Sequence, residues 1–117
     1  MTRIKPSPPV AKIDLLQGNL EMMILRVLRA GPQHGWGIAQ KIALVSQDAL
    51  RIEEGSLYLA LYRMQRKGWL TARWGVSDNN RRAKFYDLTR PGRAQLEEQQ
   101  GAWDRLCAAI ATVMRAG

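Results

Sequence analysis

Asn79-Asn80-Arg81-Arg82-Ala83-Lys84 gathers two amides and three cations within six residues, with no apolar side chain larger than alanine. From Leu70 to Arg90, Arg73, Arg81, Arg82, Lys84 and Arg90 face Asp78 and Asp87 alone. Clustered like charge repels itself, so a folded chain keeps it where a polyanion compensates; phosphates do this with release of condensed counterions. Asn80, beside the arginines, is suited to phosphate or minor-groove acceptors. Charge at a hairpin tip also guards a sheet edge against aggregation, and that reading stands beside the first. A second polar surface lies between Glu54 and Lys67. With Leu57, Ala60, Leu61 and Met64 assigned to the core, Ser56, Tyr58, Leu59, Tyr62, Arg63, Arg66 and Lys67 remain outside. Ser56 and Tyr58 fall in the first turns, where a helix lying in a DNA groove aims side chains at base edges. Arg63 has the planar fork that pairs with guanine or grips a phosphate. The plainer alternative is a solvated basic face with one tyrosine folded back on the core.

The residue types that other chemistries need are scarce. His34 and Cys107 are the single histidine and cysteine, so no metal cluster assembles from the usual ligands, and no cofactor is expected. A serine triad would have to use His34, and nothing places a nucleophile beside it. Gly35-Trp36-Gly37 is not followed by a phosphate-loop pattern, and its glycines read as sites of close packing. Glu53-Glu54 reads as carboxylates complementing a helix N-terminus. The 117 residues are 46% hydrophobic, enough for one globular domain. Eighteen Lys and Arg against ten Asp and Glu give a net charge of +8, which again favours a polyanionic partner. No apolar run approaches the ~18 residues of a membrane span, and the start has no apolar signal region. A cytoplasmic protein without membrane association is therefore expected, and a lone cysteine fits a reducing compartment.

The elements that would position the two polar surfaces follow from periodicity. Residues 1–14 are basic and Pro-rich and read as a flexible arm. Asn19 to Ala30 is a helix with Leu20, Met23, Ile24, Val27 and Leu28 on one stripe; Met22 and Leu25 make it apolar nearly all round, as expected of a helix that also meets a partner subunit. Gly31-Pro32 ends it. Trp36 to Val45 is a second helix with Trp36, Ala39, Ile42 and Val45 turned inward. Ser46-Gln47-Asp48 is a turn, and Glu54 to Lys67 is the third helix, stopped by Gly68. The period then changes to two: Leu70, Ala72 and Trp74 alternate with Thr71 and Arg73, and Tyr86 alternates with Leu88 in a second strand from Lys84, around a turn at 77–80. Thr89 caps a long last helix that tolerates Pro91 in its first turn. Along it Leu96, Trp103, Leu106, Ile110 and Val113 recur at spacings of seven, three, four and three, close to a heptad seam. Three helices followed by a hairpin and a long helix make a mainly α winged helix-turn-helix: residues 15–89 form the winged domain and 90–117 a dimerisation helix.

Three ordered segments resemble the PadR family of transcriptional regulators between about Leu15 and Trp103. They are Leu15-Leu16-Gln17-Gly18-Asn19-Leu20 with Gly31-Pro32-Gln33-His34-Gly35-Trp36-Gly37-Ile38; Glu54-Gly55-Ser56-Leu57-Tyr58-Leu59-Ala60-Leu61 with Gly68-Trp69-Leu70; and the run from Asn80 to Gly92. The resemblance implies a winged-helix dimer, usually a repressor, whose last helix builds the interface; the short single C-terminal helix is similar to the smaller subgroup. It also implies that some members release DNA on binding small planar aromatic or lipophilic molecules, and Trp103 is the residue placed to meet one. Where members commonly carry Pro this chain has Leu59, acceptable in a first turn and able to meet a thymine methyl. The expectation is a homodimer that binds double-stranded DNA at a pseudo-palindromic site, not an enzyme. Ser56, Tyr58, Leu59, Tyr62, Arg63, Lys67, Asn80, Arg81, Arg82 and Lys84 would face DNA; Leu20, Ile24, Trp103, Leu106, Ile110 and Val113 would face the second subunit. The rival is a winged helix whose basic face binds an acidic protein.

Overall fold

The computed structural model describes residues 17–116, so the basic arm read at 1–14 lies outside the described residues. The element order is α1 (Gln17–Leu28), β1 (Gln33–His34), α2 (Gly35–Val45), α3 (Glu54–Arg66), β2 (Leu70–Val76), β3 (Arg82–Leu88) and α4 (Arg90–Arg115). The antiparallel sheet has the order β1-β3-β2. This is the winged helix arrangement: α2 and α3 are the helix-turn-helix and β2–β3 the wing. β1 is the element that periodicity missed. Two residues are too few to show alternation, and β1 exists because Gln33 pairs with Tyr86 and His34 with Phe85 across the sheet.

The core is where all these elements meet. Ile24, Leu25 and Leu28 of α1, Ile38 of α2 and Leu57, Leu61 and Met64 of α3 are fully enclosed, and Leu70, Tyr86, Leu88 and Leu96 close the shell. Two expectations change here. Leu20 and Ile24 are buried in their own protomer; the apolar excess of α1 is consumed by α2, α3 and α4 on its several sides, so these two residues have no surface to offer a second subunit. Trp36 is 55% exposed and Val45 also lies open, while Ile38 and Ile42 point inward. The inward face of α2 therefore follows Gly35, Ile38 and Ile42, at the three- and four-residue spacing of a helix stripe. Size alone made Trp36 look like the anchor.

Local chemistry fixes the junctions. His34 caps α2: its Nδ1 accepts the Gly37 amide at 3.0 Å, and its ring meets Phe85 edge-on at 5.3 Å. Gly35 lets the α2 backbone lie against the Tyr58 ring, since an added Cβ would stand 2.7 Å from it. In the α2–α3 turn Gln47 and Asp48 take left-handed backbone angles, and the Ser46 hydroxyl accepts the Leu50 amide at 3.0 Å. Gly68, at φ +81, ends α3; the Trp69 amide reaches back to the Met64 carbonyl and the Gly68 amide to that of Gln65, each at 3.0 Å, the Schellman pattern.

α4 begins on that same corner. The Thr89 hydroxyl donates to the Gly68 carbonyl at 2.6 Å and accepts the Gly92 amide at 3.1 Å, while the Thr89 amide donates to the Trp69 carbonyl at 3.0 Å. A Cβ on Gly92 would collide with the Trp69 carbonyl oxygen, and backbone on both sides leaves no easy relief. Gly92→Ala should therefore lose about 1–3 kcal/mol of stability through overpacking. Gly55→Ala, where a Cβ meets nothing within 4 Å, should be neutral or slightly stabilising. Urea denaturation of the two variants checks the contrast, and equal stabilities would refute the close contact.

Candidate nucleic-acid interface

The third helix divides its side chains by angle. At 3.6 residues per turn, Leu57, Ala60, Leu61 and Met64 share the buried face, and Gly55, Tyr58, Leu59, Tyr62 and Arg66 share the opposite one, all of them exposed. Glu53 gives α3 no side-chain cap, so Glu54 in the first turn is the acid that complements its dipole. Ser56 is exposed in that turn. Tyr58 plays both parts that its sequence position allowed: one side of its ring lies on Gly35 and the rest is open. Tyr62 accepts a hydrogen bond from Arg66 Nη1 at 3.1 Å, and the guanidinium carbon stands 5.7 Å from the ring centre. That bond raises the already high Arg66 pKa, and the pair forms a fixed aromatic-cation unit on the outward face. Arg66 thus shares the exposed outward face with Tyr58, Leu59 and Tyr62.

Arg63 and Lys67, expected on the outward face, stand on the flank beside α1. Arg63 Nε is 3.4 Å and Lys67 Nζ 3.6 Å from Glu21 Oε2. Lys67 also lies 4.5 Å from the Trp69 ring centre. Glu21 was not singled out in the sequence. Set between apolar Leu20 and Met22, it looks like an exposed helix residue, and the signal for it is the i, i+4 pair of cations on a different helix.

The wing places its cations as the sequence suggests. β2 and β3 pair from Leu70↔Leu88 to Val76↔Arg82. The loop closes with the Asn80 amide on the Ser77 carbonyl at 2.9 Å and the Ser77 amide on that of Arg81 at 2.8 Å. Asn80 is the left-handed residue at the tip, φ 58, a conformation asparagine tolerates better than most. Asn80, Arg81, Arg82 and Lys84 are all exposed. The guanidinium of Arg82 sits 4.8 Å from the centre of Trp74, and Lys84 Nζ 6.0 Å from that of Tyr86. Burial pushes the Tyr86 phenol above its ordinary pKa, and Tyr58 adds to the shift, so it stays neutral under the wing.

The two surfaces meet. A concavity of about 800 Å³ runs between wing and helices, lined by Trp36, Tyr58, Trp74, Arg81, Arg82 and Lys84. Trp36 and Trp74 were not read as parts of the site; both are exposed and line the concavity beside the cations. Rings interleaved with arginines suit a surface that meets sugars, bases and phosphates. On the far side, α4 leaves Trp103, Leu106, Ile110, Val113 and Met114 exposed in one chain. Among the described residues no group of His, Cys, Asp and Glu is placed to hold a metal ion, and no helix is long and apolar enough to cross a membrane.

Known proteins share this arrangement. Residues 24–98 match the model of the transcriptional regulator PadR-like family. An uncharacterized protein of Lysinibacillus sphaericus is 32% identical over 95 residues, 80% of this chain and 86% of the relative. The crystal structure of a PadR-like transcriptional regulator from Bacillus cereus aligns at a TM-score of 0.75 and 25% identity, over 87% of this chain and 97% of that one. A crystal structure from Streptococcus mutans aligns at 0.77 and 25% identity over 92% of each chain. The chain belongs to the PadR-like family of transcriptional regulators, and is a winged-helix, DNA-binding regulator of transcription rather than an enzyme.

Proposed function

We propose that this protein is a sequence-specific repressor that binds a pseudo-palindromic operator as a homodimer. The observation that carries the reading is the continuous exposed face formed by the outward stripe of α3 and the cations of the wing. In this reading Tyr58, Leu59 and Tyr62 lie in the major groove, with Ser56 at the leading end of the helix and Arg66 behind. Arg81, Arg82, Lys84 and Asn80 grip the adjacent backbone, which gives affinity without sequence preference. The repressor assignment rests on the resemblance to the family. Changing both Arg81 and Arg82 to Ala should weaken specific and random duplexes alike. It should also flatten the plot of log affinity against log salt by about 0.9 per lost phosphate contact. An unchanged slope removes the wing from the interface. Binding to acidic proteins but to no duplex would favour the protein-interaction alternative.

The dimer is supported by α4. Trp103, Leu106, Ile110 and Val113 form a stripe at spacings of three, four and three that one chain leaves partly in water, and covering the apolar area that remains gains about 25 cal/mol per Å². A second copy carries the same stripe, and a two-fold axis lets each cover the other. Leu106→Glu with Ile110→Glu should give a monomer by sedimentation. A monomeric unaltered protein at micromolar concentration would overturn the dimer.

Two copies of Trp103 near such an axis frame a slot for a planar aromatic or lipophilic effector, which gains burial and stacking there. Such compounds should quench tryptophan fluorescence and weaken operator binding, and Trp103→Ala should lose both effects while still binding DNA. If a broad panel changes neither signal, Trp103 only packs.

A further inference from the structure

Three cations crowd the C-terminal end of the recognition helix: Arg63, Arg66 and Lys67. Arg66 faces outward with Tyr62. The other two are turned to Glu21, whose carboxylate comes from α1 and is only 4% exposed. Their own side chains keep 33% and 43% of their exposure, so both remain within reach of solvent. Arg63 and Lys67 are one turn apart, so a single carboxylate on α1 engages two successive positions on one flank of α3.

We infer that Glu21 limits the sequence-independent affinity of this regulator for DNA by holding Arg63 and Lys67 back from the phosphates. The inference rests on the DNA-binding face proposed above. A carboxylate taken out of water is tolerated only when cations and hydrogen bonds replace its hydration, and Arg63 and Lys67 supply cations at 3.4 and 3.6 Å. The flanks of a helix lying in the major groove stand beside the groove walls, where the phosphates run. Cations freed there would bind every duplex equally, since phosphate contacts carry no sequence. Specificity is a difference between affinities, from which a term common to every duplex cancels. Withholding two flank cations instead lowers the affinity for every duplex, so that less of the protein is held on random DNA. The rotation of α3 is set by its buried stripe, Leu57, Ala60, Leu61 and Met64, so Glu21 is a positioning residue that acts through Arg63 and Lys67 without touching DNA.

Glu21→Gln keeps the shape of the side chain and removes its charge. The full-length protein is titrated with a random-sequence duplex by fluorescence anisotropy across a KCl series, with its selected operator in parallel. Glu21→Gln should steepen the log–log slope on the random duplex by about one to two units per subunit, at about 0.9 per added phosphate contact, and should raise operator and random affinities together, leaving their ratio nearly unchanged. Lys67→Met alone should leave the slope of the unaltered protein as it is. Added to Glu21→Gln, it should take back about one unit per subunit, which a merely loosened fold would not do. Glu97→Gln, an exposed change of the same charge on α4, should not steepen the slope. A slope unchanged by Glu21→Gln in a folded protein overturns the inference alone. So does a slope that Lys67→Met flattens by itself, a measurement that stands even if Glu21→Gln fails to fold. An unaltered protein that binds no duplex overturns the DNA reading and this inference with it.

Discussion

The carbonyls of Gly68 and Trp69 lie where the recognition helix has just ended and the wing is about to begin, and the last helix starts on them. Thr89 reaches both, one through its hydroxyl and one through its amide, and Gly92 lets the first turn of α4 come down on the Trp69 backbone. Main-chain contacts of this kind are hard to relax, because neither side can rotate away as a side chain would. The corner therefore binds three elements as one body: α3, the base of the wing and the root of α4. The positions of the surface proposed to meet DNA and of the helix that projects from it depend on these few hydrogen bonds. Gly68 at a left-handed angle and Gly92 at zero clearance are the residues that only glycine fills well there.

The charge and the apolar surplus of the chain are sorted by this body onto different sides. The wing and the outer face of α3 carry cations interleaved with Tyr58, Tyr62, Trp36 and Trp74. α4 carries the apolar stripe. A chain of +8 with both features exposed has two unmet demands, one electrostatic and one hydrophobic. Under the proposed function they call for partners of different chemistry, a polyanion and a like apolar surface. Among the described residues, the buried carboxylate of Glu21 on α1 pairs with two of the cations of α3, Arg63 and Lys67.

How much of this is legible in the sequence depends on the range of the interaction responsible. α3 is read correctly because its core stripe, Leu57, Ala60, Leu61 and Met64, is a local pattern that the structure buries intact. The wing is read because alternation and a polar turn are local too, and the Thr89 cap because its partner is three residues away. Trp36 misleads because the buried face of α2 follows Gly35, Ile38 and Ile42, and the clue to that face is a glycine packed on Tyr58, 23 residues on. β1 needs Tyr86 and Phe85, more than fifty residues on. The positions of Arg63 and Lys67 need Glu21, which is 42 residues before Arg63. Leu20 and Ile24 show the converse error: a helix apolar on several sides suggested a second subunit, and its own chain supplied the neighbours.

α4 turns the corner at Gly68 and Trp69 into a lever. Its 26 residues span about 39 Å at 1.5 Å per residue, within a molecule 52 Å long. The root is clamped at Thr89 and Gly92, while Leu106 stands about 26 Å along the axis by the same rise. If the stripe is held against a second copy, the fixed point of the lever is the dimer seam and the moving end is the DNA-reading body. A tilt of about 5° at the seam then displaces the root by roughly 2 Å over that length. Two recognition helices must meet half-sites about 34 Å apart in matching register, and each subunit adds its own displacement. A ligand at the seam thus needs no large rearrangement to weaken binding. It needs unequal affinity for two nearby tilts, and a root rigid enough to transmit the difference, which the backbone contacts at Trp69 provide.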